Sequence, residues 1–163
     1  MPSTETTKTD LAFLQRAVTQ ALAAEKRGNL PIGAVITLDG QVIAAAGNAM
    51  RVPHYHPGRH AEIEALKAVP VELWPRAAEM TCYSTLEPCV MCTGTILLHG
   101  IGRVVFGALD QAGGGGCLLP NLPPYYDDRN HVPVWIGPAL PDVCDALAAR
   151  AFAAYAVLPK GSP

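Results

Sequence analysis

At 163 residues, half of them hydrophobic and 16% charged, the chain can bury a core and is too apolar to be disordered throughout. Its 12 Lys and Arg against 14 Asp and Glu give a formal net charge of -2, which weighs against a broad polyanion-binding surface. Pro, Gly or a charge breaks every apolar run before it reaches membrane-spanning length. The polar, Thr-rich residues 1–8 lack the apolar core of a secretory signal, so a cytoplasmic location and a disordered tail over 1–8 are expected.

Residues 11–27 read as an amphipathic helix with Leu11, Leu14, Val18 and Leu22 on one face, started by Thr9 or Asp10 and stopped by Gly28. Two strand-like runs follow, 34–38 and 41–45, joined by Asp39-Gly40 as a two-residue hairpin turn. A loop punctuated by Pro53, Pro57 and Gly58 leads to a helix over 60–69, which Pro70 stops. Residues 80–85 form a third strand. Pro88 is expected to open a helix reaching about Leu98, with Gly100 as its stop. A strand over 103–106, a long loop over 108–131, a strand over 132–136 and a helix over 141–155 complete the chain. No repeat or boundary divides it, so residues 1–163 are expected to form one domain. Helices between successive strands act as crossovers, which predicts a three-layer α/β/α sandwich with some parallel pairing.

Two short motifs carry the chemistry. His60-Ala61-Glu62 precedes Pro88-Cys89-Val90-Met91-Cys92 by one helix and one strand. His60, Cys89 and Cys92 are three metal ligands that leave a fourth position open, the requirement of a hydrolytic rather than a structural zinc site. Cys89 and Cys92 share a helix face, and a helix N-terminus favours their thiolates. In a first turn, side chains lean back toward the N-terminus, so Glu62 can reach a water beside the metal and act as general acid and base.

Cys-x-x-Cys also fits a redox pair, which would leave His60 and Glu62 without a role. It also fits half of a structural zinc site, yet no second Cys-x-x-Cys is present; His54 and His56 are further ligand candidates. Five cysteines without a secretory signal do not suggest a disulfide framework, and Cys82 and Cys144 read as inert core thiols.

At these residues the chain resembles the cytidine/deoxycytidylate deaminase superfamily, whose His-x-Glu and Pro-Cys-x-x-Cys signature they match. It is most similar to the branch that holds bacterial tRNA adenosine deaminases, guanine deaminases and fungal cytosine deaminases. Thr85-Leu86-Glu87-Pro88-Cys89-Val90-Met91-Cys92 and Ile101-Gly102-Arg103-Val104-Val105-Phe106-Gly107-Ala108 read like the tRNA enzymes. Met91-Cys92-Thr93-Gly94 followed by Gly100-Ile101 is similar to the cytosine deaminases. The match runs from residue 33 to about residue 110.

The resemblance implies a central five-stranded mixed sheet, one zinc ion per chain on two central helices, and a homodimer. It implies hydrolytic deamination, in which an exocyclic amine is replaced by a carbonyl while Glu62 carries protons from water to a ring nitrogen and to the departing ammonia. It further assigns substrate contacts to Asn48, to the Ala61 N–H and to the Glu87 carbonyl.

Composition then favours a free nucleobase or nucleoside as the small-molecule substrate over adenosine-to-inosine editing of tRNA. The tRNA enzymes usually end in a basic, aromatic helix, whereas Lys160 and one Arg-free stretch close this chain after residue 150. In the long loop, Gly113-Gly114-Gly115-Gly116 reads as flexible, and no Gly-Lys-Ser/Thr follows it to make a phosphate loop. Pro120, Pro123 and Pro124 stiffen the approach to Tyr125 and Tyr126, which are expected to form a lid over the base. His54-Tyr55-His56 is expected to border the pocket entrance.

Overall fold

The computed structural model describes residues 5–127 and 132–157. Helix α1 (Lys8–Lys26) begins in a capping box: the Thr7 hydroxyl accepts from the Asp10 N–H at 3.1 Å, and the Asp10 carboxylate accepts from the Thr7 N–H at 2.8 Å. The expected tail is thus shorter than residues 1–8, because Thr7 and Lys8 are held by this cap; residues 1–4 lie outside the described residues.

Strands β1 (Gly33–Leu38) and β2 (Gln41–Gly47) pair antiparallel through the expected hairpin. Asp39 and Gly40 have φ of 51° and 71°, the left-handed pair that a tight hairpin matching strand twist requires. After α2 (Ala61–Lys67) a 3₁₀ segment, Val71–Glu79, fills what the sequence left as connection. Strand β3 (Thr81–Leu86), helix α3 (Val90–His99) and strand β4 (Arg103–Ala108) follow. The long connection holds a second 3₁₀ segment, Gly115–Asn121, and one helical turn, α4 (Pro124–Asp127). Strand β5 (Val134–Ile136) and helix α5 (Pro141–Ala156) end the fold.

The sheet order is β2-β1-β3-β4-β5; the β2–β1 and β1–β3 pairs are antiparallel, and the β3–β4 and β4–β5 pairs are parallel. The expected five-stranded mixed sheet and three layers are both present. On one face, α1 and α5 bury Leu14, Val18, Ala21, Cys144 and Leu147 toward the sheet. On the other, Ala61, Ala65 and Leu66 of α2 and Ile96 of α3 pack on Ala34, Ile36, Cys82 and Val104. Strand β1 is buried along its whole length because helices cover both sides, whereas the edge strand β2 mixes exposed and buried positions. No described helix is long and apolar enough to cross a membrane.

One partly buried ion pair ties α1 to the sheet away from the helix starts that carry the motifs. Arg103 of β4 grips both Asp10 carboxylate oxygens, at 2.6 and 2.9 Å, while the Tyr83 hydroxyl donates to Asp10 at 2.7 Å. Burial alone would raise the Asp10 carboxyl; Arg103, Tyr83 and the Thr7 cap together hold it well below the usual carboxylate range.

Candidate metal centre and active site

His60 and Cys89 occupy the N-cap positions of α2 and α3, in extended backbone conformations, and neither side chain caps its own helix. Pro88 therefore stands before the cap and not at the first helical position. The sequence predicts His60 as the first helical residue; it is instead the extended N-cap, which lets it and Glu62, two residues on, address one point. Cys92, in the first turn of α3, completes the set.

The ligand atoms of His60, Cys89 and Cys92 all lie within 4.8 Å of one another. Both sulfurs are 3.5 Å from His60 Nδ1. With Zn–S bonds of about 2.3 Å and Zn–N bonds of about 2.0 Å, a tetrahedral ion spaces thiolate and imidazole donors by ~3.5 Å, so the three donors fit zinc as they stand. All five cysteines are free thiols, which excludes the disulfide form of a redox pair at Cys89 and Cys92 in this structure.

The two thiols are unequal. The hydrogen bond from Cys92 outweighs burial and, with His60, pulls Cys89 down to about 4; the same bond and burial push Cys92 up. Burial lowers the His60 imidazole, but Cys89, the Glu62 charge and a hydrogen bond to the Pro57 carbonyl outweigh it and raise the group overall. A carbonyl partner of this kind orients a metal-binding imidazole.

Glu62 is 3% exposed. Its Oε1 accepts from the Ser84 hydroxyl at 2.6 Å, and its Oε2 accepts from Cys92 Sγ at 3.3 Å. The carboxylate thus stands beside the donor cluster with one oxygen anchored behind and the other toward the metal position. Ser84 escaped the sequence reading, since a serine within a strand carries no motif.

A cavity of about 350 Å³ opens onto these residues, walled by Leu30, Ile32, Asn48, Met50, His60, Glu62, Leu86 and Glu87. Asn48 is fully buried; its Oδ1 accepts from the Met50 N–H at 3.1 Å, and among the described residues its Nδ2 is the buried side-chain polar atom left without a partner. Ala61, also buried, is the first residue of α2, a position whose N–H has no intrahelical acceptor.

The Glu87 side chain has a structural task. It accepts from the Asp110 and Gly116 N–H groups at 3.3 and 3.2 Å and from the Trp135 indole at 3.4 Å. The four glycines consequently do not form a slack spacer. A Cβ at Gly114 would collide with the Glu87 carboxylate, and one at Gly115 with the Thr93 hydroxyl. These are close approaches that only glycine allows, and they fold the connection down beside the metal cluster.

Tyr125 and Tyr126 do not cover this cavity. They line a second one of about 220 Å³ with Trp74, Leu98 and His99, at the end of α3 away from Cys89. The aromatic wall of the first cavity comes instead from Phe152 and Tyr155 of α5. Two helical turns in an otherwise loop-like stretch redirect the tyrosines, and nothing local in the sequence marks α5 as reaching the pocket. His54, Tyr55 and His56 lie on the surface: the His56 ring accepts from the Gly58 N–H at 3.0 Å, and none of the three lines the cavity.

With this geometry in place, similarity to known proteins becomes informative. Residues 7–108 match the model of the cytidine and deoxycytidylate deaminase zinc-binding region. The chain is 36% identical over 148 residues to the tRNA-specific adenosine deaminase of Bacillus subtilis, covering 88% of each. It is 37% identical over 112 residues to a probable cytosine deaminase of Schizosaccharomyces pombe, covering 68% of this chain and 67% of that one. A structure from studies of A-to-I editing by tRNA:A34 deaminases superposes with a TM-score of 0.71 at 33% identity, covering 84% of this chain and 99% of that one. The guanine deaminase of Nitrosomonas europaea, at 21% identity and a TM-score of 0.66 over 93% of this chain and 88% of that one, shares the fold.

Proposed function

The chain belongs to the cytidine and deoxycytidylate deaminase family, and from that premise we propose that this zinc-dependent deaminase acts on a free nucleobase or nucleoside. Water and the substrate's ring amidine become a ring carbonyl and ammonia. The observation that carries this reading is a buried carboxylate, Glu62, set beside a three-donor zinc site at the floor of a base-sized cavity.

His60, Cys89 and Cys92 would hold the ion. Bound there, zinc supplies the Lewis acidity that brings the pKa of a water to about 7. Glu62 would take one water proton and give it to the ring nitrogen next to the reacting carbon, then take the second from the hydroxyl now on that carbon and give it to the amine, which leaves as ammonia as the carbonyl forms. Asn48 Nδ2 donates to the base or sugar, which accounts for a donor otherwise left unsatisfied in a buried wall. The Ala61 N–H meets the base edge, and the Glu87 carbonyl receives the amine. The Leu30, Ile32 and Met50 side chains exclude bulk water from the exchange.

Charge supports the free substrate over folded RNA. No basic residue stands in the last turn of α5, whose Phe152 and Tyr155 wall the cavity, and the net charge is -2. Editing of tRNA is the second reading, favoured by the identity to the Bacillus subtilis enzyme along most of both chains. An ammonia-release screen over free bases and nucleosides, with a tRNA arm, separates them: release from a free compound is expected, and activity confined to tRNA would replace the first reading with the second. A homodimer is proposed alongside, supported by Val90, Met91 and Leu98 exposed on α3. Light scattering should return twice the monomer mass.

A further inference from the structure

Three buried serine and threonine hydroxyls lie in or beside β3 and the start of α3, and two of them bond backbone: Thr85 accepts from the Gly33 N–H, and Thr93 donates to the Pro88 carbonyl. Ser84 differs. Its side chain is fully buried, and its hydroxyl donates to Glu62 Oε1 at 2.6 Å. Oε2, the other oxygen, is the one beside Cys92 Sγ.

We propose that Ser84 is a positioning residue that pins Oε1 of Glu62 so that Oε2 alone faces the reacting water. This rests on the reading of Glu62 as the proton carrier. The carboxylate is linked to its helix by three rotatable bonds, and a rotation about the last of them exchanges the two oxygens. A short bond from a rigid strand to one oxygen removes that freedom and supplies a buried acceptor with its partner. Without the hydroxyl, Oε1 would seek a donor elsewhere in the pocket, and Oε2 would leave the metal side with it.

The test compares Ser84→Ala, Ser84→Thr and Glu62→Gln in the zinc-loaded full chain. The assay substrate is whichever of cytosine, guanine, adenine, cytidine and adenosine the native protein deaminates fastest. Ser84→Ala is expected to lower kcat about tenfold or more with KM changed less than about twofold. Zinc content should stay at the native value. Ser84→Thr, which keeps the hydroxyl, should recover most of the loss. In a Glu62→Gln background, Ser84→Ala should have no further effect on the residual rate.

Crystal structures give a readout independent of substrate: a single Glu62 rotamer is expected in the native protein and a rotated or split carboxylate in Ser84→Ala. An unchanged kcat together with an unchanged rotamer would overturn the proposal, as would an equal loss in the Glu62→Gln background. Full turnover by Glu62→Gln would instead remove the proton-carrier reading, and the rotamer comparison then decides whether Ser84 orients the side chain at all.

Discussion

Residue spacing explains why so little chain builds this centre. A histidine at one helix cap, a cysteine at another and a second cysteine three residues on bring three donors to within 4.8 Å. Their identities and spacing were legible in the sequence because ligation needs those residue types. Ser84, Phe152 and Tyr155 were not legible, since a strand serine or a helix aromatic is ordinarily core or surface. Two predictions follow from the side chains. Asn48→Ala removes the unpartnered Nδ2 and should raise KM about tenfold or more, which steady-state kinetics would register. Alanine at both Phe152 and Tyr155 should also raise KM, whereas alanine at both Tyr125 and Tyr126 should leave KM unchanged. Equal effects from the two pairs would mean that the α4 turn reaches the active site after all.

Elements owe their placement to longer contacts. The capping box, the Asp39-Gly40 hairpin and the Gly100 stop, with φ of 75°, follow local sequence, and the strands and long helices lie close to where periodicity put them. The 3₁₀ segments at Val71–Glu79 and Gly115–Asn121 are short and carry Pro75 and Pro120 inside, which reads as loop in the sequence. Helix α1 is locked to β4 by Asp10, Arg103 and Tyr83. Asp10→Asn should cost about 2 kcal/mol at neutral pH by leaving the partly buried Arg103 beside a neutral partner.

The sign with pH is fixed by the depressed Asp10 carboxyl. Its contribution is fully present above the unfolded value of about 3.9 and is lost as pH falls from there toward the lower folded value. Urea midpoints of native and Asp10→Asn proteins should therefore differ most from pH 5 to 7 and converge below about pH 4. A gap that widens in acid would contradict this assignment.

At the scale of the whole molecule, metal and fold are coupled, because α2 and α3 meet at the three ligands and the Gly114–Gly115 connection closes against the start of α3. Removing zinc with a chelator should abolish turnover and lower Tm, and adding zinc back should restore both; calorimetry of the two forms measures the shift. The sequence by itself determined the ligand trio, the nearby carboxylate, the alternation of strands and helices and hence the layered class, because each is written in residue type and short-range spacing. Only the tertiary structure decided which oxygen of Glu62 lies beside Cys92, that α5 and not α4 walls the cavity, and that the glycine run is packed and not slack. Those outcomes depend on contacts between residues far apart in the chain, such as Ser84 with Glu62 and Ala151 of α5 in one cluster with Leu30 and Met50, and short-range pattern carries no information about which distant segments meet.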